Sequence, residues 1–572
     1  MAMKQGRKYG AVSIGSMLLL SVVASACSNS TDQPEASKSA TAAASATPAA
    51  AQTAAAKVDP LAKYDPPIEV TTVRSVDATY KYAAGDSIDS NIWSKIFEQD
   101  YGIKVKNTWT VDSTQYRQKL NVSIASGDIP DFLEVNKEEL KRLADAGQLE
   151  DLTKVWEQYS SPLLKSMQNQ DGGIGLKAAT IDGKLLGIPH TFSNGGISTA
   201  EMIYVRTDWL QKLNLPEPKT MDDVIKIATA FAKQDPDGNG KADTIGLAVN
   251  KDFWDYGHGS LRGFFNGYHG YTDIFIKNPS GKLVYGFVQK ELKAPLKKLQ
   301  ELYKDGVLDK EFGVKPPAKI QEDVAAGRVG LAYGLVSDGG YIQKENHTKD
   351  PKAQWKVFPI VSADSQPAVP QLYDTAGTFY VVKKGSKHPE AAIKLANIYI
   401  NRFYEKSYAP DPNPFITDSK TGIMAAKYAP VTMDSMNTNL EAFHLVTEAL
   451  KTGDGSKLGF PASIHFERMT KFKAGDDSMW FSNIVMGEGG SFSVIDQYNK
   501  AKLGQYNLFL APATPAMSEK LPTLKKKIAE TYTKIIMGDA SIDEFDKFAE
   551  EFQKLGGDKI EQEVNDWYAK NK

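Results

Sequence analysis

From Pro66 onward the chain alternates between short β-branched runs and amphipathic helical runs, and this alternation narrows its fold more than any other feature. "IEVTTVRSV" and "YGIKVKNTWTV" read as strands, "STQYRQKLNVSIASG" (Ser113 to Gly127) as a helix stopped by glycine, and "IPDFLEVN" as a buried strand. That succession predicts an α/β architecture with helices covering a largely parallel sheet. At 572 residues the chain exceeds the ~250–300 at which one core normally divides. Hydrophobic residues make up 41% and aromatics 10%, enough to pack cores of that size. Lys plus Arg number 68 against 70 Asp plus Glu, so the chain lacks the basic excess of a nucleic-acid binder.

Residues 1–27 read as a leader. Lys4, Arg7 and Lys8 precede an apolar run from Ala11 to Val23, then Ala24-Ser25-Ala26-Cys27. The run is too short for a comfortable membrane span. Small residues directly before the only cysteine resemble a bacterial lipobox, which implies cleavage before Cys27 and lipid, palmitate among it, on that residue. The alternative is a secreted protein with an incidental cysteine. Residues 28–65 are mostly Ala, Ser, Thr, Gln and Pro, a composition that cannot repay its own ordering and acts as a tether, reaching roughly 30 Å.

"DPDGNGKADT" contains the first part of an EF-hand-type loop. Asp235, Asp237 and Asn239 stand at positions one, three and five, a glycine at six, Lys241 at seven for its carbonyl, and Asp243 at nine. Oxygen ligands suit Ca2+. Position twelve is Gly246 instead of the usual Glu, so a remote carboxylate, or Asp243, would supply the missing oxygens. The loop reads as a structural calcium site; an ion-free polar turn is the other reading. The preceding helix is predicted to start at a Thr220 cap with Asp223, and "TIGLAV" beyond the loop to be a strand. Near the end, Ser541 and Glu544 suggest a capping box, Phe545, Phe548, Phe552 and Leu555 one core face, and Gly556 a stop.

Several phrases resemble the extracellular solute-binding proteins of ABC importers, and more narrowly their long sugar-associated lipoproteins of the LplA type. They are "IASGDIPDFLEV", "IDGKLLGIPHT", "IYVRTDWLQKLNLPEPKTMDDV", the acidic loop, "VVKKGSKHPEAAIKLANI" and "LGGDKIEQEVNDWY", in that order across residues 66–572. The resemblance implies a two-lobed, type II periplasmic-binding-protein-like fold, each lobe a mixed sheet flanked by helices. Lobe 1 is expected at 66–192 and 372–410, lobe 2 at 193–371 and 411–572. It further implies a monomer, lipid-anchored on the outer face of the cell membrane, that closes on a carbohydrate and delivers it to two ABC permease subunits.

A sugar needs aromatic platforms beside hydrogen-bonding groups. Three segments offer that mixture: one with Trp254 and Tyr256, one with Trp480 and Glu488, and one with Asn91 and Trp93. Tyr204, Arg206 and Asp374 lie near the expected crossings between lobes. Each aromatic could equally be ordinary lobe packing. Rival functions are a secreted glycan-active enzyme, although no nucleophile or ordered acid/base pair is visible, and a surface adhesin or peptide binder on the same fold.

Overall fold

The computed structural model describes residues 58–77, 79–255, 257–373, 377–405, 413–417 and 422–571. Cys27 and nearly all of the tether lie outside the described residues, as do Tyr256 and Asp374. Among the described residues no helix is long and apolar enough to cross a membrane.

Buried apolar side chains form two separate cores. One gathers residues between Val70 and Ile188, between Phe379 and Ile400, and between Phe415 and Met433. The other gathers residues between Ala200 and Leu372 and between Leu440 and Tyr568. The chain thus leaves the first core beyond Met433, later than the boundary at 410/411 expected from the sequence. Tyr428, Val431 and Met433 are nearly inaccessible there, and removing them from that core would expose apolar surface at roughly 25 cal/mol per Å2.

In the first lobe, Ile68–Val76 pairs in parallel with Ile103–Asp112. Thr378–Val382 runs antiparallel between Phe132–Asn136 and Ile188–Pro189. In the second lobe, Met202–Arg206 is flanked on both sides by antiparallel strands, Leu331–Gly334 and Trp355–Pro359. Parallel pairing is therefore limited to one strand pair and to isolated bridges of Ile245 to Val329, Leu247 to Leu308 and Gln371 to Gln505 among the described residues, instead of the largely parallel sheet expected from the alternation. A parallel neighbour needs a covering crossover within the same lobe. Thr378–Val382 instead re-enters from the other lobe, and so runs against its partners.

Local signals explain most helix boundaries. Asp112 caps Ser113–Ser126 by accepting from the Thr114 amide at 2.9 Å, and Gly127 closes the helix in the left-handed region. Thr220 and Asp223 form the expected reciprocal box on Met221–Lys233. "TIGLAV" makes isolated parallel bridges to both sides, Ile245 to Val329 and Leu247 to Leu308, with Gly246 donating to Val307 O and Ala248 to Leu331 O. Phe545, Phe548 and Phe552 are buried, but Leu555 is 40% exposed. Ser541 and Glu544 form no side-chain box, and the helix Glu544–Phe552 has no side-chain cap. Gly556 (φ 118°) kinks the chain without ending it, and a helix resumes at Asp558–Lys570.

Three segments cross between the cores, and they are tied to one another. Asp434 and Thr191 exchange two bonds: Thr191 Oγ1 donates to Asp434 O at 2.6 Å, and the Asp434 amide donates to Thr191 O at 3.1 Å. Asn439 Nδ2 donates to Asn194 Oδ1 at 2.7 Å. On the middle crossing, the Tyr373 amide donates to Thr199 Oγ1 at 2.9 Å.

Candidate functional site

Where the crossings meet the lobes, the molecule opens into a cavity of about 640 Å3. Thr72 and Arg74 come from the first strand, Glu134 from the third, and His190 and Phe192 from the first crossing. Tyr380 comes from the returning strand, Thr432 and Asp434 from the last crossing, and Phe460 and Pro461 from the second lobe. Both lobes therefore contribute to its walls.

Its floor is one hydrogen-bonded chain. His190 Nδ1 lies 3.0 Å from Glu134 Oε1, and Thr378 Oγ1 donates to that same oxygen at 2.6 Å. The other ring nitrogen of His190 meets Thr432 Oγ1 at 3.0 Å, and the Thr432 amide donates to Tyr380 OH at 3.0 Å. Burial pushes the Glu134 carboxyl up, but the His190 hydrogen bond and charge, the Thr378 hydroxyl and Arg117 outweigh it and hold the group down to about 2. Asp434 is pushed up, chiefly by burial. Arg74 donates to the carbonyls of Tyr428 (2.6 Å) and Lys427 (2.9 Å).

Above this polar floor stand apolar side chains that folding has left in water: Phe192 at 49% exposure, Phe460 at 45% and Met424 at 51%. Phe192 also packs against the His190 ring, centroids 4.4 Å apart. Apolar side chains exposed in a concave site beside satisfied polar groups are what a ligand's flat faces would cover. A second cavity, of about 360 Å3, opens on the other side of Asn439, which lines both, and belongs to the second lobe.

The residues singled out from the sequence are mostly elsewhere. Trp93 is fully buried, donates to Ala425 O at 3.0 Å and stacks on Tyr399. Asn91 is buried as the cap of that helix. Trp480 is buried against His347, ring centroids 4.3 Å apart. Tyr204 is enclosed, its hydroxyl bonded to Leu335 O and Ser491. Arg206 is enclosed too, paired with Asp208 at 2.6 Å and lying over Trp209. These five are buried and make internal contacts in this structure. Trp254 is half-buried, edge-on to Phe253. Glu488 is exposed in a turn. None of these seven lines either cleft cavity.

Sequence reasoning passed over Glu134, His190, Phe192, Thr432 and Asp434. Two signals pointed to the first three: a carboxylate inside the apolar strand "DFLEVN", and the polar-aromatic run "HTFSN" directly after a crossing strand.

The acidic loop is compact. Asp235 accepts from the Gly240 amide at 3.0 Å; its nearness to Asp237 holds the Asp235 carboxyl below the usual carboxylate range, and Asp237 is pushed up, chiefly by burial. The Asn239 amide group stands between Asp237 (2.6 Å) and Asp243 (3.0 Å). The carboxyls of Asp235, Asp237 and Asp243 are oxygen groups of the kind a hard cation takes, while in this arrangement the Asn239 N–H group fills the place between Asp237 and Asp243. Lys212 holds the outer carbonyls of Asp235 and Pro236. A Glu at position twelve is sterically excluded: a Cβ on Gly246 would lie 2.1 Å from Ala228 O. Among the described residues, no three His, Cys, Asp or Glu side chains converge as a complete metal group, so the loop's amide and carbonyl oxygens would have to complete the shell.

Residues 93–409, more than half of the chain, match the bacterial extracellular solute-binding protein family. The chain belongs to that family. Lipoprotein LipO of Bacillus subtilis (strain 168) is 26% identical over 485 residues, 84% of this chain and 89% of that protein. The polygalacturonan/rhamnogalacturonan-binding protein YtcQ of the same organism is also 26% identical, over 81% of this chain and 85% of its own length. Among solved structures, the HMO-binding, ABC-transporter-associated solute-binding protein of Bifidobacterium longum infantis ATCC 15697 aligns with a TM-score of 0.59 at 17% identity, covering 88% of this chain and 98% of that one. This likeness agrees with two lobes around a cleft, and a solute-binding protein uses such a cleft by closing it over its ligand.

Proposed function

We propose that this solute-binding protein captures an oligosaccharide between its lobes and releases it, chemically unchanged, to the permease subunits of an ABC importer. The observation that carries this reading is the 640 Å3 cavity, where exposed aromatic faces stand over a floor of hydroxyl, imidazole and carboxylate groups. That is the pairing a sugar's C–H faces and hydroxyls require. The names of the relatives point the same way. Against an enzyme, Glu134 is committed to His190 and Thr378 and is no free acid or nucleophile.

On this reading the chain works as a monomer on the extracellular face of the membrane, anchored through Cys27. The loop of Asp235, Asp237, Asn239, Lys241 and Asp243 holds Ca2+ as a structural ion, which stiffens the turn beyond the helix Met221–Lys233.

Thermal-shift screening against an oligosaccharide library, followed by product analysis, tests the main claim. A bound glycan raises the melting temperature by mass action and is recovered intact; cleavage of the glycan, or no stabilisation by any of them, defeats it. For the ion, protein stripped with chelator and then supplied with Ca2+ at about 100 times its Kd gains roughly 2.7 kcal/mol, read as a rise of several degrees that Asp237→Asn abolishes. An unchanged melting temperature on re-addition defeats the calcium assignment.

A further inference from the structure

The two cavities meet at three places along the chain. Ser193 lines the first and Asn194 the second; Pro461 lines the first and His465, one helical turn on, the second; Asn439 lines both. At that border Asn439 Nδ2 donates to Asn194 Oδ1 at 2.7 Å, so an exposed pair of amides is what a solute would pass in going from one to the other. The second cavity has a mixed wall. Val485, Met486 and Phe492 supply apolar surface, and Asn194, Ser337, Lys344 and Glu345 supply polar groups. Lys344 and Glu345 carry opposite charges, and Lys344 Nζ lies 5.0 Å from the centroid of the Phe481 ring, so neither sign of charge prevails there.

Two more polar atoms in this wall are buried and lack a hydrogen-bond partner among the described residues: Ser482 Oγ, on a side chain 2% exposed, and His465 Nδ1. No described side chain lining the first cavity has such an atom. An orphaned buried polar atom is an unmet demand for a partner from outside the fold. Burial, aided by Arg468, lowers His465 to about 4, so its ring is neutral at pH 7. A hydroxyl and a neutral imidazole nitrogen are each met by an O–H, which can both give and take a hydrogen bond; an apolar group would leave both unmet. We infer that the solute site continues past the Asn194 and Asn439 pair, and that a further sugar residue of the same glycan sits in the second cavity with its hydroxyl groups bonded to Ser482 Oγ and His465 Nδ1. The inference rests on the oligosaccharide reading above and adds a second subsite with the two side chains that hold it.

Isothermal titration of the full chain with glycans of two to six sugar residues, in homologous series from cellulose, xylan, mannan, inulin and polygalacturonan, tests it. In a series that binds, affinity climbs with length until the second cavity is filled. Ser482→Ala and His465→Phe each weaken the longest member about fivefold, the worth of one hydrogen bond, and leave the shortest member that binds unchanged within about twofold. Ser482→Ala deletes a hydroxyl that the fold does not use, so its melting temperature without glycan is the same or higher; a fall would mark Ser482 as a structural support and overturn its assignment. Equal loss for short and long members, or no loss for any, in either variant overturns the inference and leaves the oligosaccharide reading standing. With no loss, the orphaned atoms are served by water alone. If no series binds the unaltered protein, the oligosaccharide reading itself falls, and the inference falls with it.

Discussion

Glu134 in the first lobe and Glu201 in the second are both drawn into protein, and their carboxyl groups are pushed in opposite directions. Burial raises both. For Glu134, the His190 bond and charge, the Thr378 hydroxyl and Arg117 more than cancel it, leaving about 2. For Glu201, the charge of Arg262, the Gly263 amide and Ser260 cancel only part of it, and the group is pushed up to about 7. One oxygen, Glu201 Oε1, has no hydrogen-bond partner among the described residues. What separates the two is how far each is withdrawn from water: the Glu134 side chain keeps 33% of its exposure, whereas Glu201 is 1% exposed, and a comparable set of donors cannot cancel the larger burial cost. In the cleft the first lobe presents a bonded polar network, and the second presents aromatic and aliphatic side chains beside Ser337, Lys344 and Glu345.

The largest expected effect tests the second half of this comparison. Glu201 binds its proton more tightly in the folded protein than in the unfolded chain, so its contribution is complete below about pH 4.5 and is lost as pH rises through about 7. The full shift amounts to about 3 kcal/mol. Urea denaturation at pH 5, 6, 7 and 8 should show stability falling across that window, and Glu201→Gln should remove the fall. A slope unchanged in the variant would mean that Glu201 is not the group whose titration sets the fall.

How much of this was readable beforehand depended on range. Thr220 with Asp223, and Asp112 with Gly127, act within a single helical turn, and their boundaries stand where the sequence put them. The two-lobed fold followed from the order of many short phrases. The cleft residues did not follow, because a tryptophan beside glycines looks the same whether its ring faces solvent or, like Trp480, covers His347. Trp93 is a core residue because Tyr399 and Ala425, more than 300 positions away, come to meet it. Phe192 is the reverse case: it stays exposed because it sits on a crossing segment that neither core encloses.

The first half of the comparison is tested at low pH. Glu134 is held below its ordinary value, so its contribution is present above about pH 4.5 and disappears as pH falls toward 2. Because 33% of its side chain is exposed, solvent screening reduces the effect to about 1–2 kcal/mol. His190→Ala should flatten the larger part of that acid limb, Thr378 and Arg117 retaining the rest, while leaving the Glu201 limb untouched. Loss of both limbs together would show that the two carboxyls are not independent.

The smaller effects concern the ligand itself. Phe192→Ala removes a face that is 49% exposed and packs only along one side, so the fold keeps its melting temperature while glycan affinity drops about fivefold, or roughly 1 kcal/mol. Tyr341, 75% exposed at the rim of the second cavity, contributes less because most of its ring stays in water even when a ligand covers the inner edge. Tyr341→Ala should therefore weaken binding only two- to threefold, about 0.5 kcal/mol. Titration calorimetry on the two variants with the same glycan ranks them directly. If Tyr341→Ala costs more than Phe192→Ala, the ligand's main stacking surface lies in the second lobe, and the polar chamber of the first lobe serves to orient a ligand that is held chiefly by its other end.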